Sequence, residues 1–195
     1  SATIRNTLMY KVITSPSTIA VDLQEAKNHL KVDTNADDQL IESLIKTATE
    51  TVEHDMGRCL LSQTIRESWD DLPMGRVLTL SLSPLSSLTH LKYLDDGGTL
   101  TTFISGNYTV DSDSEPPRIV LNPNASWPSL GSYPNALQAT YVCGSSTVAD
   151  VPFQAKQAIL LQVAYMYEKR EDSMIQDNRV RSSEWLTRKL RVHNI

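Results

Sequence analysis

The stripe Leu40, Ile41, Leu44, Ile45, Ala48, Val52 and Met56 constrains this chain most. Its steps of one, three and four place these side chains on one side of an α-helix. Gly57 follows and predicts the stop, because glycine accepts the left-handed backbone of a helix C-terminus. Arg58 lies just past that negatively polarised end. Upstream, Asp22 with Glu25 three residues later has capping-box spacing, with Asp in place of Ser or Thr. Leu23, Ala26, Lys27 and Leu30 then share a face, so a shorter helix precedes the longer one. Val32-Asp33-Thr34-Asn35 is the joint between them, made of residues that bond locally to backbone. Thr34 or Asn35 is the expected cap of the longer helix, with Asp37, Asp38 and Glu42 near its positive end. None of these residues is catalytic equipment. A segment that specifies geometry this clearly and chemistry this poorly fits a building part better than an enzyme.

From Leu60 to Val142 the period changes to short alternating runs. Thr64–Trp69, Val77–Leu82, Leu88–Leu94, Thr99–Ile104, Tyr108–Val110, Arg118–Leu121 and Leu137–Cys143 read as strands. Asp95-Asp96-Gly97-Gly98 is the strongest hairpin turn, since glycine supplies positive φ at little steric cost. A small antiparallel sheet or partly closed barrel is expected. After Pro152 a wide, mostly apolar face returns, carried by Phe153, Ala155, Lys156, Ala158, Ile159, Leu160, Leu161, Val163, Ala164, Met166 and Tyr167, which predicts a central helix. Beyond Arg170 the chain turns polar, with Trp185, Leu186 and Leu190 as an apolar cluster.

The expected class is therefore α+β: a helical core with an inserted antiparallel β-rich region and an extended C-terminal tail. The core comprises two N-terminal helices and a long helix after Pro152. The expected boundaries are 1–8 for a tag or upstream extension and 9–59 for the N-terminal helical part. They continue with 60–145 for the β-rich insertion, 146–171 for the helix completing the core and 172–195 for an interaction tail.

The 195 residues suffice for one ordinary or elaborated domain, and 40% hydrophobic with 21% charged content describes a globular chain, not a disordered one. No apolar run approaches the ~20 residues of a membrane helix. The N-terminus lacks a charged start followed by an apolar block, so no secretory signal is expected. A formal charge of −5 argues against sequence-independent nucleic-acid binding, which depends on a basic surface. The charge is uneven: Arg179, Arg181, Arg188, Lys189 and Arg191 outnumber Asp172, Asp177 and Glu184 in an otherwise acidic chain. Cys59 and Cys143 have no second Cys or His at metal-ligand spacing and are expected as reduced, mostly buried thiols.

Chemistry is sparse. His29 and His54 sit on helices, His90 in a strand and His193 near the end, none beside a nucleophile. Ser145-Ser146 lacks the glycine pattern of a nucleophile elbow. Asp37-Asp38, Asp70-Asp71 and Asp95-Asp96 fall at a helix start and in turns, ordinary places for Asp. Gly97-Gly98 has no following Lys-Ser/Thr and helix, so it is a turn and not a phosphate loop. No catalytic residue, metal site or cofactor is expected.

One ordered series carries a resemblance: Asp22-Leu23-Gln24-Glu25-Ala26-Lys27, His29-Leu30, Val32, Asp37-Asp38, Leu40-Ile41, Leu44-Ile45, Ala48, Val52-Glu53 and Gly57-Arg58. It continues through Leu82-Ser83-Pro84-Leu85, Tyr93-Leu94-Asp95, Asn107-Tyr108-Thr109-Val110, Trp127-Pro128, Gly144 and Pro152 to Arg170. Over about residues 9–170 the chain resembles the head–tail connector (adaptor) proteins of tailed bacteriophages and related prophage-derived particles. The resemblance implies a helical core with a β-rich insertion, and a ring, twelve-fold in expectation, beneath the portal protein at the capsid vertex. Such a ring extends the DNA channel, contacts neighbouring copies and offers a surface to the next neck or tail component. An acidic channel wall would let DNA pass without specific binding. The expected location is the virion neck, after synthesis in the bacterial host cytoplasm, with no membrane contact. The tail beyond Arg170 is expected to reach the portal, with Trp185 and Leu186 as apolar anchors and Arg179, Arg181, Arg188, Lys189 and Arg191 as polar contacts.

Two other readings stand beside this one. The chain could be another neck component, such as a tail-completion protein. It could also be an enzyme or carbohydrate-binding module on the β insertion, with Trp69, Trp127, Tyr133 and Tyr141 lining a sugar site.

Overall fold

Asp22 opens helix α1 (Leu23–Leu30) as the spacing predicts: its carboxylate accepts the Glu25 N–H at 2.7 Å. Lys31, at φ 58°, ends it. Helix α2 (Asp38–Met56) buries Ile41, Ile45, Ala48, Val52 and Met56, while Leu40 and Leu44 are half-buried at the edges of the stripe. Gly57 closes α2 at φ 64°, donating to His54 O. The start of α2 differs from expectation. Asp37 is the cap residue without a side-chain capping bond, and its carboxylate accepts the Tyr167 hydroxyl at 2.6 Å. Asn35, freed from capping, accepts from Lys27 Nζ at 2.8 Å.

Lys27 is the buried joint of the pair. Its Nζ also reaches Asp38 Oδ1 at 2.7 Å, so one ammonium ties α1, the turn and α2. Lys27→Met keeps the stem packing and removes these bonds. We expect a loss of about 1–2 kcal/mol in urea unfolding, moderated because Asp38 keeps the favourable field of a helix N-terminus.

The computed structural model describes residues 10–169 and 178–192. They divide into a helical unit, residues 16–61 and 145–192, and a β unit, which takes residues 62–144 and the strand before residue 16. The expectation for residues 1–8 lies outside the described residues.

In the helical unit, α3 (Phe153–Glu168) buries Ala155, Ala158, Ile159, Leu160, Val163 and Ala164. Phe153, expected on that face, is 72% exposed. Leu160, at nearly the same angle two turns on, is buried, so what exposes Phe153 is its place at the very start of the helix. The expected interaction tail is helical over Asn178–Thr187 (α4), which packs along α3. The Gln162 amide donates to Ser183 Oγ at 3.0 Å in the buried seam, and Thr187 is buried one turn later. Leu186 and Leu190 pack on the core that α2 and α3 share. The chain then meets the end of α2: Val192 N–H donates to Met56 O at 2.8 Å and Arg191 Nε to Asp55 O at 2.7 Å. Leu61 and Ser145 form a bridge, so the points where the chain leaves and re-joins the helical unit lie side by side. Both cysteines are disulfide-bonded, which corrects the expected thiols. Distance along the sequence hid this, because an insertion returns its two ends to one place.

The β unit contains two antiparallel sheets where one sheet or a partly closed barrel is expected. Strands β1 (Tyr10–Thr14), β2 (Gln63–Trp69), β4 (Leu85–Leu94), β5 (Leu100–Thr102) and β8 (Leu137–Cys143) form the larger, in the order β1-β2-β8-β4-β5. Strand β1 was assigned by sequence to the helical part. Its exposed, weakly alternating YKVIT gives little sign of the edge position it takes beside β2. The smaller sheet orders β3 (Val77–Thr79), β7 (Arg118–Leu121) and β6 (Tyr108–Asp111) as β3-β7-β6. The β4–β5 hairpin turns at Asp95–Gly98, where Asp95 Oδ1 accepts the N–H groups of Gly97 and Thr99, both at 2.9 Å, and Gly98 takes φ +75°.

Glu67 on β2 is buried inside this unit. Its carboxylate accepts Ser81 N–H at 3.0 Å, the Ser81 hydroxyl and the Tyr141 hydroxyl at 3.0 Å. Burial is the main cause that raises its pKa; the bonds from Ser81 and Tyr141 oppose the rise. Phe103 anchors a second cluster, stacked on Tyr108 at 5.8 Å, tilted on Trp127 at 5.8 Å and edge-on to Tyr93 at 6.4 Å.

Candidate interface surface

Helix α4 ends at Thr187, and the turn after it reverses the chain toward the C-terminal end of α2. Ser183 and Thr187, four residues apart, face inward, which turns Trp185 outward: it is 71% exposed. Leu186 is half-buried between the two directions. Arg188 and Lys189 follow in the turn, both exposed. Together with Gln154 at the start of α3, these four residues line a groove of about 400 Å³. The groove has an indole and a leucine as its apolar part and two cations among its lining residues. The exposed Phe153 ring lies next to Gln154 in sequence.

The sequence-predicted interface residues therefore divide. Trp185, Leu186, Arg188 and Lys189 share one groove. Arg191 does not line it: its Nε is committed to the last turn of α2, where a cation complements the carbonyl end of the helix. Arg179 and Arg181 lie in the first turns of α4, and their side chains fall outside the described residues. Gln154 and Phe153 were missed. Nothing in the apolar pattern of α3 marks them, because their exposure comes from standing at its first turn.

Other candidate residues have packing roles. Tyr141 is fully buried with its hydroxyl on Glu67, and Trp127 packs tilted on Phe103 while its Nε1 donates to Gly75 O at 2.8 Å. These bonds take two of the four aromatics suggested for a sugar site. His90 has its pKa lowered, first by burial and then by Lys92 and Arg66. His54 is exposed, 3.8 Å from Asp55. Among the described residues no group of three or more His, Cys, Asp or Glu could hold a metal ion, and no helix is long and apolar enough to cross a membrane.

Residues 20–77, from before α1 to the start of β3, match the family described as phage gp6-like head-tail connector protein. Comparison with curated proteins finds no match. Among solved structures, the chain is similar to one from the virion of a native gene transfer agent (GTA) particle, at 22% identity and TM-score 0.79, over 96% of this chain and 97% of that one. It is equally similar to a chain from the neck of an empty GTA particle computed with C6 symmetry, at 22% identity and TM-score 0.79, with the same coverage. A chain from the neck of the native particle computed with C12 symmetry gives 21% identity and TM-score 0.77. The α+β fold, insertion included, is thus one found in a particle neck, and α1 and α2 carry the head–tail connector pattern read from the sequence.

Proposed function

We infer that this chain is a structural head–tail connector (adaptor) of a tailed bacteriophage or phage-like particle. The observation that carries the reading is a coincidence of two independent findings. The connector family matches α1 and α2, and the whole chain, insertion and C-terminal helix included, has the fold of a particle neck component. The neck with C12 symmetry supports a ring of copies, twelve-fold by analogy. The proposed partners are neighbouring copies, the portal protein on one side and the next neck or tail component on the other. The proposed location is the neck at the capsid vertex, after synthesis in the host cytoplasm. DNA is proposed to pass through the ring without specific binding. The chain acts through shape and mutual contact, with no bond-making step.

The surface proposed to meet these partners is the C-terminal one: Arg179, Arg181, Trp185, Leu186, Arg188, Lys189 and Arg191. The fold changes how it is tested. Deleting the segment would uncover Gln162 and the α3 face that α4 covers, so point substitutions at exposed positions are the cleaner probe. Imaging purified particles should place the chain as a ring in the neck. Trp185→Ala should lower its retention there about tenfold or more, as expected for an aromatic anchor worth about 2 kcal/mol, with an unchanged melting temperature. Particles whose necks lack the chain would overturn the reading.

A further inference from the structure

A ring built from one kind of chain repeats a head-to-tail contact, so each copy must present two different surfaces that fit each other. This chain presents two features whose apolar character and charge complement each other. The first is the groove lined by Trp185, Leu186, Arg188, Lys189 and Gln154. The second is the loop from β2 to β3, Asp70-Asp71-Leu72-Pro73-Met74-Gly75. Met74 there is fully exposed, and Asp71, three residues before it, is exposed too.

A methionine wholly in water is an unusual use of an apolar side chain, yet this loop is firmly mounted. Asp70 Oδ1 accepts the Asn135 N–H at 2.6 Å, Gly75 O accepts the Trp127 indole, and Arg76 donates to the carbonyls of Leu121 and Asn122. Both ends are pinned while the tip projects, so little ordering cost remains when the tip is covered. A flexible thioether suits an indole-lined groove, and sulfur–aromatic contact is favourable. The carboxylate of Asp71 complements Arg188 and Lys189.

We propose that Met74 of one copy seats in the Trp185–Leu186 groove of the next copy, with Asp71 facing Arg188 and Lys189. The proposal rests on the ring reading and names the partner of the groove within it. Arg179 and Arg181 of α4 are then left for other neck components.

The test mixes two full-length variants, Met74→Cys and Lys189→Cys, lets them assemble into particle necks and oxidises them. Both positions are exposed, and the chain's own cysteines are already bonded, so the new thiols are the reactive ones. A disulfide-linked dimer should form in the mixture and in neither variant alone. Its yield should be about tenfold or more above that of Met74→Cys mixed with Ser43→Cys, because docked neighbours react at a high effective concentration. Arg188→Glu with Lys189→Glu should weaken ring assembly, and adding Asp71→Lys should restore it. Rings present without the mixed dimer, or with the groove occupied by portal instead, would overturn the contact and leave the ring reading standing. Necks with no ring of this chain would overturn the ring reading and this contact with it.

Discussion

Replacing Glu67 by Leu should lower the stability of the β unit by about 3–5 kcal/mol. The reason is the three donors aimed at its carboxylate: the backbone and hydroxyl of Ser81 and the hydroxyl of Tyr141. With the acceptor gone, each is buried without a partner, at about 1–3 kcal/mol per group before local relaxation. Trp69 and Trp127 lie in this unit, so urea unfolding followed by tryptophan fluorescence reports the loss. Adding Ser81→Ala and Tyr141→Phe should recover a large part of it, because only the Ser81 N–H then stays unsatisfied. If the triple variant were no more stable than Glu67→Leu alone, hydrogen bonding would not be the cause. A pH dependence accompanies this. The pKa of Glu67 is raised above its ordinary 4.5. The folded chain therefore holds a proton that the unfolded chain has released, and the contribution falls as pH rises from the unfolded value through the folded one. Glu67→Gln should lack this slope in a stability series across the weakly acidic range.

The helices and most strands were legible because each is specified by nearby residues. The α2 stripe, the Asp22 cap, the Gly57 stop and the Asp95–Gly98 turn are all local, and all appear where the periodicity places them. What was not legible depends on distant partners. Strand β1 is defined by its pairing with β2, and the disulfide state of Cys59 and Cys143 by the path of the whole insertion. Glu67 reads from the sequence as an ordinary polar residue in an alternating strand; only the fold brings Ser81 and Tyr141 to it. The C-terminal segment shows the same limit. Trp185 stands out in the sequence as a lone aromatic, but the seam that turns it outward runs through Gln162, Ser183 and Thr187, which are polar and carry no hydrophobic signal. The groove could be named in part from composition. Its wall at Gln154 depends on where α4 and the turn after it come to lie against the first turn of α3.

Ile45→Ala should cost the helical unit about 2–5 kcal/mol of stability. Ile45 is fully buried on the α2 stripe, in the core that also contains Ala158, Ile159 and Val163 of α3. Helix α2, closed by Gly57 and tied at its start to α1 by the Lys27 joint, cannot collapse easily into the space left, so the upper part of that range is expected. Leu44→Ala, one residue earlier and half-buried, serves as the comparison and should cost clearly less. Loss of helical circular dichroism, which α1 to α4 supply, follows the unfolding of this unit. The functional consequence follows from where the core lies. α4 packs on α3 and carries the groove, so loosening the α2–α3 core should release the surface that Trp185 presents. Ile45→Ala should therefore reduce incorporation into particle necks together with stability, whereas Trp185→Ala reduces incorporation alone. If Ile45→Ala entered necks at the normal level despite a lowered melting temperature, assembly itself would be supplying the missing stability, as binding to the folded state does by mass action.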